Sequence, residues 1–246
     1  MEYALSSTPW EISMLFSAVK AAFPVDIRAA RADFDIQWGQ IDRPTHRNTS
    51  WDAAQFEVPA QKWADLSEGD YGVALLNDCK YGYDVRGDVL RLSLIKSATM
   101  PDSGADQGHH LFTYALLPHE GDTRVTVRAE AAALNVPPRL IARGPETGSA
   151  ARLGPVARCL SQRAVIETVK PAQDGRGVIV RLYEAHNTRG AVEIELARDI
   201  VTVERAGLLE NGGTPLPVED GRLRLDLTPY EIVTLRLIGA GQGAVF

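Results

Sequence analysis

Apolar residues recur with a period of two along most of this chain, and that pattern restricts its fold more than any other property of the sequence. Side chains two apart share one face of an extended strand, whereas a helical face needs a period near 3.6. FDIQWGQI (Phe34 to Ile41) alternates, with Phe34, Ile36 and Trp38 on one face. QFEVPA (Gln55 to Ala60) puts Phe56 and Val58 together, and VLRLSLIKS (Val89 to Ser97) sets Leu90, Leu92 and Leu94 against Val89, Arg91 and Ser93. YGVALLN (Tyr71 to Asn77) is a short continuous apolar run, as expected of a strand buried on both faces. LFTYALLPH (Leu111 to His119) is a further strand candidate, and TRVTVRAEAAAL (Thr123 to Leu134) is compatible with a strand or a short helix. The punctuation between these runs, RPTHRNTSWD, SEGD, RGD, MPDSGADQG and HEGD, is turn chemistry.

A second block follows Asn135. AVIETVKPA, GVIVRLYEAH, GAVEIELAR, IVTVERA, RLRLDLTP and EIVTLRLIGA are six strand-like runs, with QDGRG, NTRG, NGGTP and EDG as turns. Evenly spaced short strands of this kind predict all-β sandwiches. We therefore expect a large, supersandwich-like β-sandwich over residues 1–135, a linker or loop over 136–154 and a smaller C-terminal β-sandwich over 155–246. The linker rests on RGPETGSAARLGP (Arg143 to Pro155), and the tail GAGQGAVF is expected to be loosely ordered.

The formal net charge of −6, with no basic stripe, argues against nucleic acid as a partner. No apolar run approaches the roughly 18 residues of a membrane span, so no membrane partner is expected. The opening residues lack a basic segment followed by a compact apolar one and are not expected to be a signal peptide. The two cysteines, Cys79 and Cys159, are too few for a disulfide framework, and a reducing, cytoplasmic setting is the expectation.

None of the five histidines has metal-site spacing, and no metal site is expected within this chain. There is no Gly-x-Ser-x-Gly elbow, GxGxxG or phosphate-binding loop. LLNDCKYGYDVRGD (Leu75 to Asp88) is the unusual stretch, crowding Asn77, Asp78, Lys80, Tyr81 and Tyr83 into seven residues. Amide, carboxylate, cation and ring together suit sugar recognition, since hydroxyls take paired hydrogen bonds and a pyranose has an apolar face. A tight hairpin whose polar side chains bind their own backbone explains the same residues equally well. In RPTHRNTSWD, the residues Arg43, His46, Arg47 and Asn48 beside Trp51 suit a domain interface, because planar guanidinium groups bond carbonyls and stack on rings. The alternative is a structured turn, with Asn48, Thr49 and Ser50 bonding locally. RLYEAH (Arg181 to His186) reads as a strand of the second sandwich rather than a site.

Phe23 to Gly121, with its motifs RPTHRNTSWD, LLNDCKYGYDVRG and FTYALLPH, resembles the C-terminal half of glycoside hydrolase family 38 α-mannosidases, in the bacterial and cytosolic or vacuolar branch. VIVRLYEAH, LLEN and LTPYEIVTLRL resemble the family's terminal β-sandwich, while Met1 to Leu15 match poorly and read as a new start. The resemblance implies a retaining hydrolase acting on terminal α-linked mannose. One carboxylate is the nucleophile and a second the acid/base. It also implies zinc or another divalent cation that coordinates sugar hydroxyls. Both belong to an N-terminal α/β barrel that nothing here resembles, so the resemblance places no catalytic residue and no cofactor in this chain.

The expected role is that of a β-scaffold and one rim of the sugar site, with Asn77, Asp78, Lys80, Tyr81 and Tyr83 nearest an α-mannoside oligosaccharide. The catalytic domain is the expected partner at Arg43, His46, Arg47 and Asn48. Surfaces meant to pack on that domain would also promote homo-oligomers if bare. The rival reading is a stand-alone carbohydrate-binding or structural sandwich without catalysis.

Overall fold

The computed structural model describes residues 16–98, 100–120, 123–140 and 154–239. The opening residues 1–15, residues 141–153 of the expected linker and the tail from 240 lie outside that description. The chain divides into two compact units, Met1–Arg139 and Leu140–Phe246.

The first unit is a sandwich of two antiparallel sheets. One sheet has the order β1 (Phe16–Pro24), β8 (Val89–Ala98), β7 (Gly82–Arg86), β4 (Val58–Pro59). The other runs β3 (Gly39–Pro44), β2 (Arg31–Ile36), β5 (Trp63–Glu68), β6 (Tyr71–Asn77), β9 (Tyr114–Glu120). Phe34, Leu66, Val73 and Leu75 of the second sheet close on Val58, Tyr83, Leu90 and Leu92 of the first. Each such side chain stabilises by about 1.5–3 kcal/mol when fully buried.

YGVALLN is buried on both faces as its apolar run requires. Val73 and Leu75 enter the sandwich, while Ala74 and Leu76 turn outward to Trp63, Val127 and Ala131. The last two belong to α2 (Thr123–Asn135), which resolves the ambiguity of TRVTVRAEAAAL in favour of a helix. Val127, Ala131 and Leu134 recur at helical spacing on the packed side. The alanines favour that state.

Two expectations are corrected. FDIQWGQI is not one strand: β2 ends at Ile36 and β3 begins at Gly39, with Trp38 in the left-handed region at φ 58°. Its alternation is real on β2 but breaks at the hairpin turn. In QFEVPA Val58 and Ala60 join the core, while Phe56, which lies before the two-residue strand β4, is exposed. The turn motif before it contains α1 (Ser50–Ala54), which Thr49 caps: its side chain accepts from Asp52 N, and Asp52 accepts from Thr49 N. That reciprocal arrangement is a capping box.

The second unit is a smaller sandwich. Its sheets are β10 (Ala157–Cys159), β13 (Gly190–Leu196), β17 (Arg222–Leu227), β16 (Val218–Glu219), and β11 (Ala164–Pro171), β12 (Val178–Glu184), β18 (Ile232–Gly239), β14 (Ile200–Ala206), β15 (Thr214–Leu216). All six runs read from the sequence are strands. Val180, Leu182, Ile194, Leu223, Leu225, Val233 and Leu235 form the core. Arg181 and Tyr183 face away from it, as the alternation of RLYEAH requires.

Candidate functional site

β6 ends at Asn77, and the loop from Asp78 to Tyr81 is organised by that one side chain. Asn77 is 1% exposed. Its Nδ2 donates to Gln61 O at 3.0 Å and to the Tyr83 hydroxyl, and its Oδ1 accepts from Cys79 N at 2.9 Å and from Lys80 N. An amide has two donors and an acceptor with two lone pairs, so Asn77 is fully used. The loop is thereby folded over Asn77 and returned into β7. Tyr83 lies in the sandwich core, and burial pushes its hydroxyl well above the usual phenol range, opposed by the Asn77 hydrogen bond. It stays a neutral partner for Asn77.

The five residues singled out from the sequence therefore separate. Asn77 and Tyr83 are internal supports. Asp78, Lys80 and Tyr81 line a surface hollow of about 130 Å³ with Gln61, Lys62, Cys79 and Asn135. Asp78 Oδ1 accepts from Thr113 N at 3.0 Å, fixing the loop to the segment before β9. The Cys79 side chain and Thr113 hold the Asp78 carboxyl below the usual carboxylate range. Lys80 Nζ stands 4.9 Å from the centre of the Phe112 ring, a cation–π contact. Tyr81, 63% exposed, projects its ring into solvent. Asn135, at the end of α2, donates to Asn77 O at 3.0 Å and so closes the back of the hollow.

Tyr81 and Gln61 also line a second, larger hollow of about 490 Å³, completed by Asp35, Ile36, Gln37, Pro59 and Ala60. Gln61, Lys62, Asn135 and the β2–β3 hairpin were not legible as site residues. Gln61 and Asn135 lie 16 and 58 residues from Asn77 and reach it only through the fold.

The interface candidates are engaged within their own unit. Arg43 Nη1 donates to Pro59 O at 2.8 Å, and its guanidinium lies 5.0 Å from the Phe34 ring centre. Arg47 Nη2 is 3.8 Å from Asp84, and His46 Nδ1 is 3.6 Å from Asp52. Asn48 precedes the helix cap Thr49. Trp51, 80% exposed, is the large apolar side chain this stretch turns outward. Among the described residues no group of three or more His, Cys, Asp or Glu side chains could hold a metal ion, and no helix is long and apolar enough to cross a membrane.

Residues 9–104 match the family described as glycosyl hydrolases family 38 C-terminal domain, and residues 163–235 match the family 38 C-terminal beta sandwich domain. The chain is 41% identical over 226 residues to alpha-mannosidase 2C1 of Homo sapiens, covering 89% of this chain and 22% of that protein. It is 38% identical over 219 residues to alpha-mannosidase G of Dictyostelium discoideum, covering 86% of this chain and 20% of that protein. It thus spans about a fifth of the length of these relatives. The crystal structure of an alpha-mannosidase from Enterococcus faecalis V583 shares the fold at a TM-score of 0.72 and 18% identity, over 89% of this chain and 25% of that one. Both units carry matches specific to one family, so the chain belongs to glycosyl hydrolase family 38, as its C-terminal β-sandwich region.

Proposed function

We propose that this chain is the β-scaffold of an α-mannosidase that hydrolyses terminal α-linked mannose from oligosaccharides with retention, and that Asp78, Lys80 and Tyr81 form one rim of its sugar site. The observation that carries the rim is the contrast within one loop. Asn77 is buried and fully bonded, while Asp78, Lys80 and Tyr81 edge an open hollow beside it. A carboxylate, an ammonium and a phenol ring held on rigid backbone are suited to hydroxyls and to a pyranose face. Retention needs two carboxyl groups about 5–5.5 Å apart, and we assign both to the part of the longer protein outside this chain.

The divalent cation of the reaction belongs with them in this reading. The donor sets among the described residues do not fit a metal. The outward Trp51, with Arg43, His46, Arg47 and Asn48 of the same stretch, is the contact we assign to the catalytic portion, in a cytoplasmic enzyme.

Two measurements test this. The purified 246-residue chain with added zinc or cobalt should not hydrolyse an aryl α-mannoside. Metal-dependent turnover would place the nucleophile here and overturn the division of labour. In the longer enzyme, Tyr81→Ala should lower kcat/KM by roughly tenfold, the equivalent of about 1.4 kcal/mol of lost ring contact. The urea midpoint should stay in place, because the ring is outside the core. An unchanged kcat/KM would remove the rim from the proposal.

A further inference from the structure

We infer that the loop between β14 and β15, Gly207 to Gly213, is a docking knob of the second unit, and that Leu208 and Leu209 at its tip seat in an apolar recess of the catalytic portion outside this chain. The inference rests on the division between this chain and a longer enzyme, not on the sugar rim. Its first ground is exposure. Leu208 is 61% exposed and Leu209 83%. Single apolar side chains are ordinary on a protein surface, but two adjacent leucines on a loop held still are not.

The second ground is rigidity. Gly207 N donates to Asn211 O at 3.0 Å and Glu210 N to Gly207 O at 2.9 Å, which closes the loop on itself. Arg181 Nη2 donates to Leu208 O at 2.6 Å, and Arg236 Nη2 to Glu210 O at 2.7 Å. The Glu210 carboxylate accepts from Gln173 N at 2.8 Å and pairs with Lys170. Glu210 itself has a φ of 63°, in the left-handed region that residues with a Cβ seldom adopt. β14 and β15 are antiparallel neighbours, which a turn of about two residues can join. The loop is therefore longer and more heavily braced than its connection requires. Bracing of this kind lowers the ordering cost of binding.

The third ground is the chemistry of the occupant. A membrane surface is met by free basic side chains beside the apolar anchors. Lys170, Arg181 and Arg236, which bond the loop, are instead engaged by its acceptors. A second copy of the chain would have to present the same patch, and two projecting tips are not complementary to each other. A concave apolar surface on another protein segment fits. The chain spans about a fifth of the length of its relatives, so most of an enzyme of that length can supply it.

The test compares amide exchange over residues 208–211 in the longer enzyme and in the 246-residue chain. Exchange should be slower in the longer enzyme by roughly tenfold or more. Leu208→Ser with Leu209→Ser should remove that protection and shorten the half-life of activity on heating, with kcat before heating unchanged. The same pair should leave the urea midpoint of the 246-residue chain in place. Equal exchange in the two proteins would overturn the docking, as would protection that survives the double substitution. A lowered midpoint in the 246-residue chain would also overturn it, because the leucines would then support their own chain. Protection that rises with protein concentration would assign the loop to a second copy and overturn the occupant inferred here. Failure of the sugar rim leaves all these outcomes readable, and turnover by the 246-residue chain, not the exchange comparison, is what would remove the division between chain and enzyme.

Discussion

The side-chain amide of Asn77 donates to the phenolic oxygen of Tyr83, and both donate to the carbonyl of Gln61, at 3.0 and 3.4 Å. Two residues that flank the candidate loop in sequence are therefore joined beneath it, on a third residue that lines both hollows. The loop's shape is set by this buried triangle together with the bond that Asp78 accepts from Thr113 N.

Tyr83→Phe should cost about 1–2 kcal/mol, because a buried amide hydrogen loses its partner. Asn77→Ala should cost more, since Cys79 N and Lys80 N lose their acceptor as well. Urea unfolding followed by tryptophan fluorescence measures both, Trp63 being in this unit's core. If Tyr83→Phe is as stable as the original chain, the hydroxyl is not a support of the loop.

That triangle also shows where reading the sequence stops. The strands were legible because burial on one face leaves a period of two, and YGVALLN was legible as doubly buried because nothing polar interrupts it. The loop LLNDCKYGYD stood out by composition, yet composition could not divide it. Asn77 and Tyr83 turn inward while Asp78, Lys80 and Tyr81 turn outward, and that depends on where β6 ends and β7 begins. Gln61 and the Gln37 turn were invisible as site residues because sheet order, not sequence distance, brings them to Tyr81. FDIQWGQI misled for a related reason: a tight hairpin can keep an alternating pattern while reversing the chain.

On the outer face of the first unit, His119 Nε2 lies 2.8 Å from Asp65 Oδ1, and Ser67 Oγ donates to the other carboxylate oxygen. Burial pushes the Asp65 carboxyl above its usual range, opposed by those two partners. A raised folded value stabilises below the ordinary carboxylate range, and that contribution is lost as pH rises through the raised value. His119→Leu removes one of the opposing partners. The variant should lose about 2–3 kcal/mol near pH 7 and less near pH 4. Urea midpoints at the two pH values check this, and a loss independent of pH would mean that Asp65 is not the group left unpaired. Gly72→Ala should be destabilising at both, since its Cβ would meet Ser67 Oγ and the His119 ring.

In the second unit Glu184 is fully buried and accepts from His186 N at 3.0 Å, Thr188 Oγ1 at 2.8 Å and Tyr230 N at 3.1 Å. Burial alone would raise its carboxyl, but the hydrogen bonds outweigh that and hold it below the usual glutamate value. The stability this contributes is present above the ordinary glutamate pKa of about 4.3 and is lost as pH falls through the lowered folded value. Glu184→Gln keeps the shape but not the charge. It should cost about 1.5–3 kcal/mol at pH 7, and the difference from the original chain should shrink below about pH 4. Thermal unfolding at a series of pH values measures it, and a constant difference down to about pH 3 would contradict the assignment.

Arg236 is the other buried charge among the described residues of this unit, and its role is to hold loops. Nη1 bonds Asp174 Oδ1 at 2.6 Å and Arg176 O at 3.0 Å, while Nη2 bonds Glu210 O at 2.7 Å. Arg181 adds a bond to Leu208 O at 2.6 Å. The loop carrying the exposed Leu208 and Leu209 is thus pinned from below by two guanidinium groups, although its apolar tips face outward. Arg236→Lys keeps the charge but has no planar fork to reach Asp174 and the Glu210 carbonyl together. Amide exchange at Asn211–Gly213 should therefore quicken by roughly tenfold in Arg236→Lys, matching a loss of about 1.4 kcal/mol in local stability. Exchange in β12 should be unaffected, because that strand is held by β11 and β18 on either side. If the two segments quicken together, Arg236 supports the whole sandwich and not the loop. If neither changes, the bonds to the Glu210 carbonyl and Asp174 are not what holds the loop in place.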